Sequence, residues 1–196
     1  MAEPITPSAL KELLTAALAQ QPAQPLVLAL DGRCGSGKTT LAAQLARQFP
    51  ASIVLHTDDF YLPPAQRVPD WAHIPCANMN LTRLRTEALE PACMGQPVPY
   101  RAYSCREGQY LPVQTLPAQP LVILEGSYSH HPVLADCETM RVFLTCSKAE
   151  QTRRLRAREG ERYANFAARW IPLEEAYFSQ YGIEETADFI VDTTNG

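Results

Sequence analysis

Eight consecutive residues, Gly32-Arg33-Cys34-Gly35-Ser36-Gly37-Lys38-Thr39, followed at once by Thr40, hold the densest chemistry in the chain. They match the pattern G-x-x-x-x-G-K-[ST] at every position. A loop that wraps a polyphosphate needs bare N–H groups pointing inward, and glycine permits both the dihedrals and the close approach. A helix starting beyond Gly37 adds the positive end of its dipole to the same anion site. Lys38 is long enough to reach terminal phosphates, and Thr39 can place its hydroxyl on Mg²⁺. The loop follows the apolar run "LVLAL" (26–30) and precedes a helical pattern, which is the context the motif requires. Residues 32–40 therefore read as the lining of a nucleoside triphosphate site. Cys34 reads as a small spacer; the alternative is a thiol whose pKa is lowered by Lys38 and the helix amino terminus.

Carboxylates stand where such a site needs them. In an open parallel sheet, ligands sit beyond the carboxyl ends of the strands. The second strand pattern ends in "HTDDFYLP" (56–63), so Asp58 or Asp59 faces the phosphates. A carboxylate there can orient an acceptor hydroxyl and take its proton. Asp58 is the expected base, and the other of the pair can cap the following turn. "LVILEG" (121–126) ends in Glu125-Gly126, and Glu125 is expected to hold Mg²⁺ directly or through water; the alternative is a loop tether. Residues 153–162, "RRLRAREGER", contain five of the fourteen arginines in a chain with only three lysines. Guanidinium groups suit bidentate contact with phosphate oxygens. Arg154, Arg158 and Arg162 are thus candidates for a mobile lid that closes over the nucleotide, against the plainer reading of a solvated helix face. The N-K-x-D motif of guanine-specific proteins does not occur in the sequence.

The elements that must position these groups follow from pattern. Thr6-Pro7 reads as an N-cap and first helical position, and Leu10, Leu13, Leu14, Ala17 and Leu18 give a helix over about 7–20. A second helix is expected from about Gly37 to Gln48, with Leu41, Ala42 and Leu45 inward. Strands are expected at 26–30, 52–57, 121–126, 140–146 and 188–193. Helices are expected at about 80–90, 148–159 and 164–180, the last kinked at Pro172. Trp170, Leu173, Tyr177 and Tyr181 along it read as core packing. Alternation of this kind implies a parallel sheet covered on both faces.

Two proline-rich stretches, 62–79 and 91–120, interrupt the alternation. The second carries a hairpin signal around "PVPYRAY" and "GQYLPV". Loops this long in a compact domain are usually functional, so both read as acceptor-binding insertions, with plain surface excursions as the alternative. One domain over 1–196 is expected from the length. The net charge of −4 gives no general attraction to nucleic acid or anionic membrane. No apolar run approaches a membrane span, and "MAEPITPSALKELL" lacks the basic and apolar parts of a signal peptide. Six irregularly spaced cysteines without a C-x-x-C pair suggest free thiols in a reducing, cytoplasmic setting and no zinc.

"DGRCGSGKTTLA", "TDDFYLP", "VILEGSY" and the arginine-rich segment, in this order, resemble the uridine kinase-like branch of the P-loop kinases. The resemblance covers most of the chain. It implies a five-stranded parallel core in the order 2-3-1-4-5, a lid near 153–162 and ATP with Mg²⁺ as donor. It also implies that Asp58 is the base and that Tyr61 shapes the acceptor site. Where uridine kinases tend to read Asp-His-Pro, this chain reads His73-Ile74-Pro75. Where they carry Tyr-Asp leading to His and Arg, it reads Tyr100-Arg101-Ala102-Tyr103-Ser104-Cys105-Arg106. His73, Tyr100 and Arg106 are the corresponding substrate candidates. The machinery of phosphoryl transfer is retained while the nucleoside contacts are altered. The expected acceptor is a nucleoside-like or other small hydroxyl compound, and a homodimer is a common state for such enzymes. The rival reading is a regulatory or assembly protein that uses ATP as a switch. It is decided by whether Asp58 and Tyr61 line a closed pocket beside the phosphates or an open face.

Overall fold

The structure is a computed structural model, and it describes residues 2–195. Among the described residues, ten strands form in chain order: β1 (Glu3–Pro4), β2 (Leu26–Gly32), β3 (Ser52–His56), β4 (Val98–Tyr100), β5 (Tyr103–Ser104), β6 (Gln109–Tyr110), β7 (Gln114–Leu116), β8 (Leu121–Glu125), β9 (Met140–Thr145) and β10 (Phe189–Asp192). The helices are α1 (Pro7–Ala19), α2 (Lys38–Gln48), α3 (Leu81–Arg83), α4 (Glu90–Cys93), α5 (Lys148–Glu159), α6 (Tyr163–Tyr181) and α7 (Ile183–Thr186).

Six strands make one parallel sheet in the order β3-β8-β2-β9-β10-β1. Five of them reproduce the expected 2-3-1-4-5 order, and the sixth corrects the expected count. Glu3 and Pro4 run beside Phe189 and Ile190, held by Glu3 N–H to Asp188 C=O (3.0 Å) and Ile5 N–H to Ile190 C=O (2.8 Å). Two residues are too few to show a periodic pattern, and proline is tolerated at a sheet edge because its missing N–H would face outward.

Every residue of β2 is buried, because helices cover both faces of the sheet. Leu26, Leu28 and Leu30 pack with Leu10 and Leu14 of α1 and Leu41 and Leu45 of α2. Val27 packs on the other face with Val122, Leu124, Phe143 and the α6 residues Tyr177 and Phe178. Alternation within one strand thus divides the core into two layers. α1 starts where expected, with the Thr6 hydroxyl accepting from Ala9 N–H at 3.1 Å.

The expected helix at 80–90 is longer and less regular. Between α3 and α4 the chain widens into a π-helical turn, Leu84–Leu89, where Glu90 N–H reaches Arg85 C=O. Pro91 explains this: it has no N–H, and its ring would collide with the carbonyl four residues back. The hairpin signal in the second insertion is realised as two nested antiparallel pairs, β4 with β7 and β5 with β6. Pro172 is held inside a continuous α6. The run 153–162 is not a separate flap: it is the second half of α5 and the 3₁₀ turn after it, with Leu155 buried. Among the described residues, no helix is long and apolar enough to cross a membrane, and all six cysteines are free.

Glu138 lies just before β9, at the amino-terminal end of an interior strand of the sheet. Its Oε2 lies 2.7 Å from Arg141 Nε, whereas its buried Oε1 has no partner among the described residues. Burial pushes this carboxyl up to about 7, against the pull of Arg141. The folded state therefore keeps a proton that the unfolded chain releases above pH 4.5. The associated stability is present below that value and lost as pH rises towards about 7. In thermal melts against pH, the midpoint of Glu138→Gln should gain on the wild type across this interval and run level above it. Parallel curves would show that Glu138 ionises normally.

Candidate active site

The glycine loop is anchored before it begins. Asp31, the penultimate residue of β2, is fully buried, and its carboxylate accepts from Gly32 N–H (2.7 Å), His130 N–H (2.9 Å) and Tyr177 Oη (2.8 Å). One side chain thereby ties the loop to the segment after β8 and to α6. Sequence reading passed over Asp31, although a carboxylate at the end of a wholly apolar strand is a visible anomaly.

Gly35 and Gly37 adopt φ of 78° and 95°, left-handed values that glycine reaches without strain. The α2 ladder begins with Leu41 N–H to Gly37 C=O at 2.9 Å. The N–H groups of Lys38, Thr39 and Thr40 consequently lie at the positive helix end with no helical acceptor. Lys38 folds back over the loop, its Nζ donating to Gly32 C=O (2.5 Å) and Arg33 C=O (3.2 Å). Gly35, Ser36, Gly37, Lys38, Thr39 and Thr40 line a cavity of about 1210 Å³.

Arg33 and Cys34 behave differently from the rest of the loop. The Arg33 guanidinium points out of the cavity to Glu175 (2.9 Å), Glu184 (3.3 Å) and Thr145 (3.1 Å), and lies over the Phe143 and Phe178 rings. Its N–H is used by Leu144 C=O. Arg33 is thus a brace between the loop and α6–α7, which corrects its place among the phosphate contacts. Cys34 borders the cavity, but its N–H donates to Glu174 Oε2 (2.9 Å), and burial followed by the Glu174 charge pushes its thiol well above the ordinary range. That overturns the lowered-pKa alternative and leaves the spacer.

β3 and β8 pair so that His56 lies opposite Glu125. Glu125 is buried, accepts from Thr39 Oγ1 at 3.1 Å, and stands 2.6 Å from His56 Nδ1. The Glu125 carboxylate raises the His56 pKa, its hydrogen bond outweighing the opposing effect of burial. A hydroxyl and a carboxylate side by side are hard oxygen donors of the kind Mg²⁺ takes, with phosphates and water completing its shell. No cluster of three acidic, histidine or cysteine ligands occurs among the described residues. The fit is therefore to an ion that arrives with a polyphosphate, not to a closed protein cage.

Asp58 follows β3 in the 3₁₀ turn Thr57–Phe60 and opens into the same cavity. It is reached by solvent through the cavity but crowded by protein on its other sides. That desolvation, then the Glu125 charge, raises its carboxyl pKa, while Lys38 and the Tyr61 hydroxyl (3.2 Å) pull it down. Asp59 turns the other way and accepts from Tyr100 Oη, which places it in the supporting structure.

Of the substrate candidates, Asp58 and Tyr61 line the cavity. Tyr100 does not: it is buried against Phe60 with its hydroxyl on Asp59 and the His56 backbone. His73 is exposed and borders a separate depression of about 740 Å³, together with Arg162. Arg106 sits in the exposed turn between β5 and β6. Arg154 and Arg158 reach the loop cavity, Arg154 through Gly35 C=O (3.2 Å) and Thr193. Arg162, by contrast, is 80% exposed and pairs with Glu159 at 3.7 Å. Four residues not singled out in the sequence, Asn78, Tyr128, Phe166 and Glu174, share the wall with Trp170, which was expected in the core. Trp170 is thus part of the cavity and not core. Tyr128 holds φ of 71°, uncommon for a tyrosine and a mark of a constrained site.

A parallel sheet of this order with a glycine loop between its central strand and the next helix is the fold of the P-loop kinases. Solved structures with this fold include a "possible uridine kinase" from Bacillus stearothermophilus, 21% identical, covering 93% of this chain and 97% of that one, with a TM-score of 0.72. A candidate fructose transport system kinase from Silicibacter is 20% identical over 95% and 98% of the two chains, with a TM-score of 0.73. A D-glycerate 3-kinase from Cryptococcus neoformans is 14% identical over 95% of each chain, with a TM-score of 0.59. No protein-family model matches the sequence, and no curated protein matches it significantly. The three neighbours carry three different kinase names, so the fold leaves the acceptor open.

Proposed function

We propose that this chain is an ATP- and Mg²⁺-dependent kinase that transfers the γ-phosphoryl group to a hydroxyl of a small, nucleoside-like molecule. The carrying observation is that Asp58 and Tyr61 share one cavity with Lys38 and the loop amides. An ATP switch needs no carboxylate in that cavity.

In this reading, the amides of Gly35 and of Gly37 to Thr40 cradle the phosphates, and Lys38 exchanges its loop carbonyls for phosphate oxygens. Thr39 and Glu125, the latter directly or through water, hold Mg²⁺, which supplies charge neutralisation at the phosphate oxygens. Asp58 orients the acceptor hydroxyl and takes its proton as the new oxygen–phosphorus bond forms. The bond from the γ-phosphorus to the bridging oxygen breaks and ADP leaves. Arg154 and Arg158 offset charge on the leaving side, and Arg162 joins them only if the end of α5 swings inward.

The test is ADP release with ATP–Mg²⁺ across nucleosides, sugars, sugar alcohols and hydroxy acids, with a no-acceptor control. Acceptor-dependent ADP release is expected; tight ATP binding with no stimulated turnover would move the chain to the switch class. Within the same assay, Glu125→Gln should raise the Mg²⁺ concentration for half-maximal rate by about tenfold or more, since it removes one charged oxygen ligand. An unchanged Mg²⁺ dependence would make Glu125 only the tether of Thr39 and His56.

A further inference from the structure

Asn78 is 1% exposed, lines the loop cavity, and carries both Oδ1 and Nδ2 buried without a hydrogen-bond partner among the described residues. A buried carboxamide with neither end satisfied is costly and rare. Its backbone, in contrast, is fixed. Leu62 N–H donates to Asn78 C=O (2.9 Å), Asn80 N–H donates to Phe60 C=O (2.7 Å), and Tyr61 bridges Met79 antiparallel. The segment 78–80 therefore runs along 60–62, immediately after Asp58, on the acceptor side of the cavity.

The groups around it narrow the partner. A carboxamide donates through Nδ2 and accepts through Oδ1, so the complementary group must both accept and donate. Hydroxyl pairs do this; a carboxylate or phosphate only accepts, and would leave Oδ1 facing another lone pair. The cations lining the cavity, Lys38, Arg154 and Arg158, belong to the loop and α5, with Lys38 and Arg154 bonded to loop carbonyls. Asn78 shares the cavity wall with the Asp58 carboxylate and Tyr61, and Phe166 and Trp170 of α6 add flat aromatic faces to it.

We propose that Asn78 is the specificity-determining contact of the acceptor site, and that the acceptor is an uncharged polyhydroxy compound rather than a hydroxy acid or a phosphorylated sugar. This rests on the kinase reading for its reaction but not for its binding. The two are therefore measured separately.

Thermal melting and ADP release are followed with neutral probes (uridine, D-ribose, D-fructose, xylitol) and charged ones (D-glycerate, D-gluconate, pantothenate, ribose 5-phosphate) at millimolar concentration. Wild type and Asn78→Leu are compared, leucine having the same branched outline without the polar atoms. At least one neutral probe should stabilise the wild type and no charged probe should do so more strongly. Asn78→Leu should raise the melting midpoint of the unliganded protein, because an orphaned amide is removed. It should also weaken the neutral probe by about tenfold or more, in KM where turnover is seen, with the KM for ATP unchanged. Stabilisation by a neutral probe that Asn78→Leu abolishes, without turnover by either protein, would support this inference while overturning the kinase reading. Preference for a charged probe, no response to any neutral probe, or equal neutral binding by the variant would each overturn the inference.

Discussion

On the proposed kinase reading, Asp58→Asn should lower acceptor-dependent turnover by about a hundred- to ten-thousand-fold, the range spanned by general-base catalysis, while ATP binding is kept. The amide keeps the shape of the carboxylate and can still accept a hydrogen bond, but it cannot take the hydroxyl proton. ATP affinity has no reason to fall, since in the proposed reading the phosphates are held by the loop amides and Lys38 and not by Asp58. Loss of its charge beside Glu125 also removes a repulsion from the same region. The raised carboxyl pKa adds a second signature. Turnover in the wild type should fall on the acid side at a pH above the ordinary aspartate value, and the residual rate of the variant should lack that limb. Asp59→Asn is the control: it weakens the hold on Tyr100 and should act through stability. Unchanged turnover in Asp58→Asn would remove Asp58 from the reaction.

Gly32→Ala is expected to be the most damaging single substitution for folding. A Cβ at Gly32 would lie 1.9 Å from the Leu144 carbonyl oxygen and 2.7 Å from its carbon and nitrogen. These are main-chain atoms of β9, paired in register with Gly32, so no rotamer change relieves the clash. The φ of 133° is itself closed to an alanine. Relief requires β2 and β9 to separate at the point where the phosphate loop leaves the sheet. A loss above about 4 kcal/mol follows, enough to keep most of a marginally stable domain from folding. Gly37→Ala provides the contrast, since its Cβ would meet nothing within 4 Å and only the left-handed φ is penalised. That cost is about 1–2 kcal/mol. Chemical denaturation of the two variants separates steric closure from backbone strain, and similar midpoints for both would refute the close-approach argument.

The parts legible in the sequence are those whose physics is local. The phosphate loop was readable because its function lies in its own backbone: glycine dihedrals, a helix start and one long amine within eight residues. The paired carboxylates were readable because the ends of parallel strands must face the site. Yet which of Asp58 and Asp59 turned inward depended on Tyr100, forty-odd residues away, reaching back to Asp59. Tyr100 itself was misplaced for the same reason, as were His73 and Arg106: within a proline-rich insertion, spacing along the chain does not say which face a side chain presents. Arg33 sits inside a motif that locates its backbone, but Glu175 and Glu184 on α6 and α7 decide where its guanidinium goes.

The sequence by itself determined the layered parallel sheet, the glycine loop at the end of its central strand and the carboxylates that open into the same cavity. Each follows from short-range rules of dihedral freedom, hydrophobic period and strand polarity. Tertiary structure alone decided the rest of the cavity wall, where Asn78, Tyr128, Phe166 and Trp170 arrive from three separate segments. It also decided the buried Asp31 network that holds the cradle in place. Those meetings depend on how segments pack across the sheet. A side chain's meaning there, orphaned amide or satisfied core residue, exists only once its neighbours are in place.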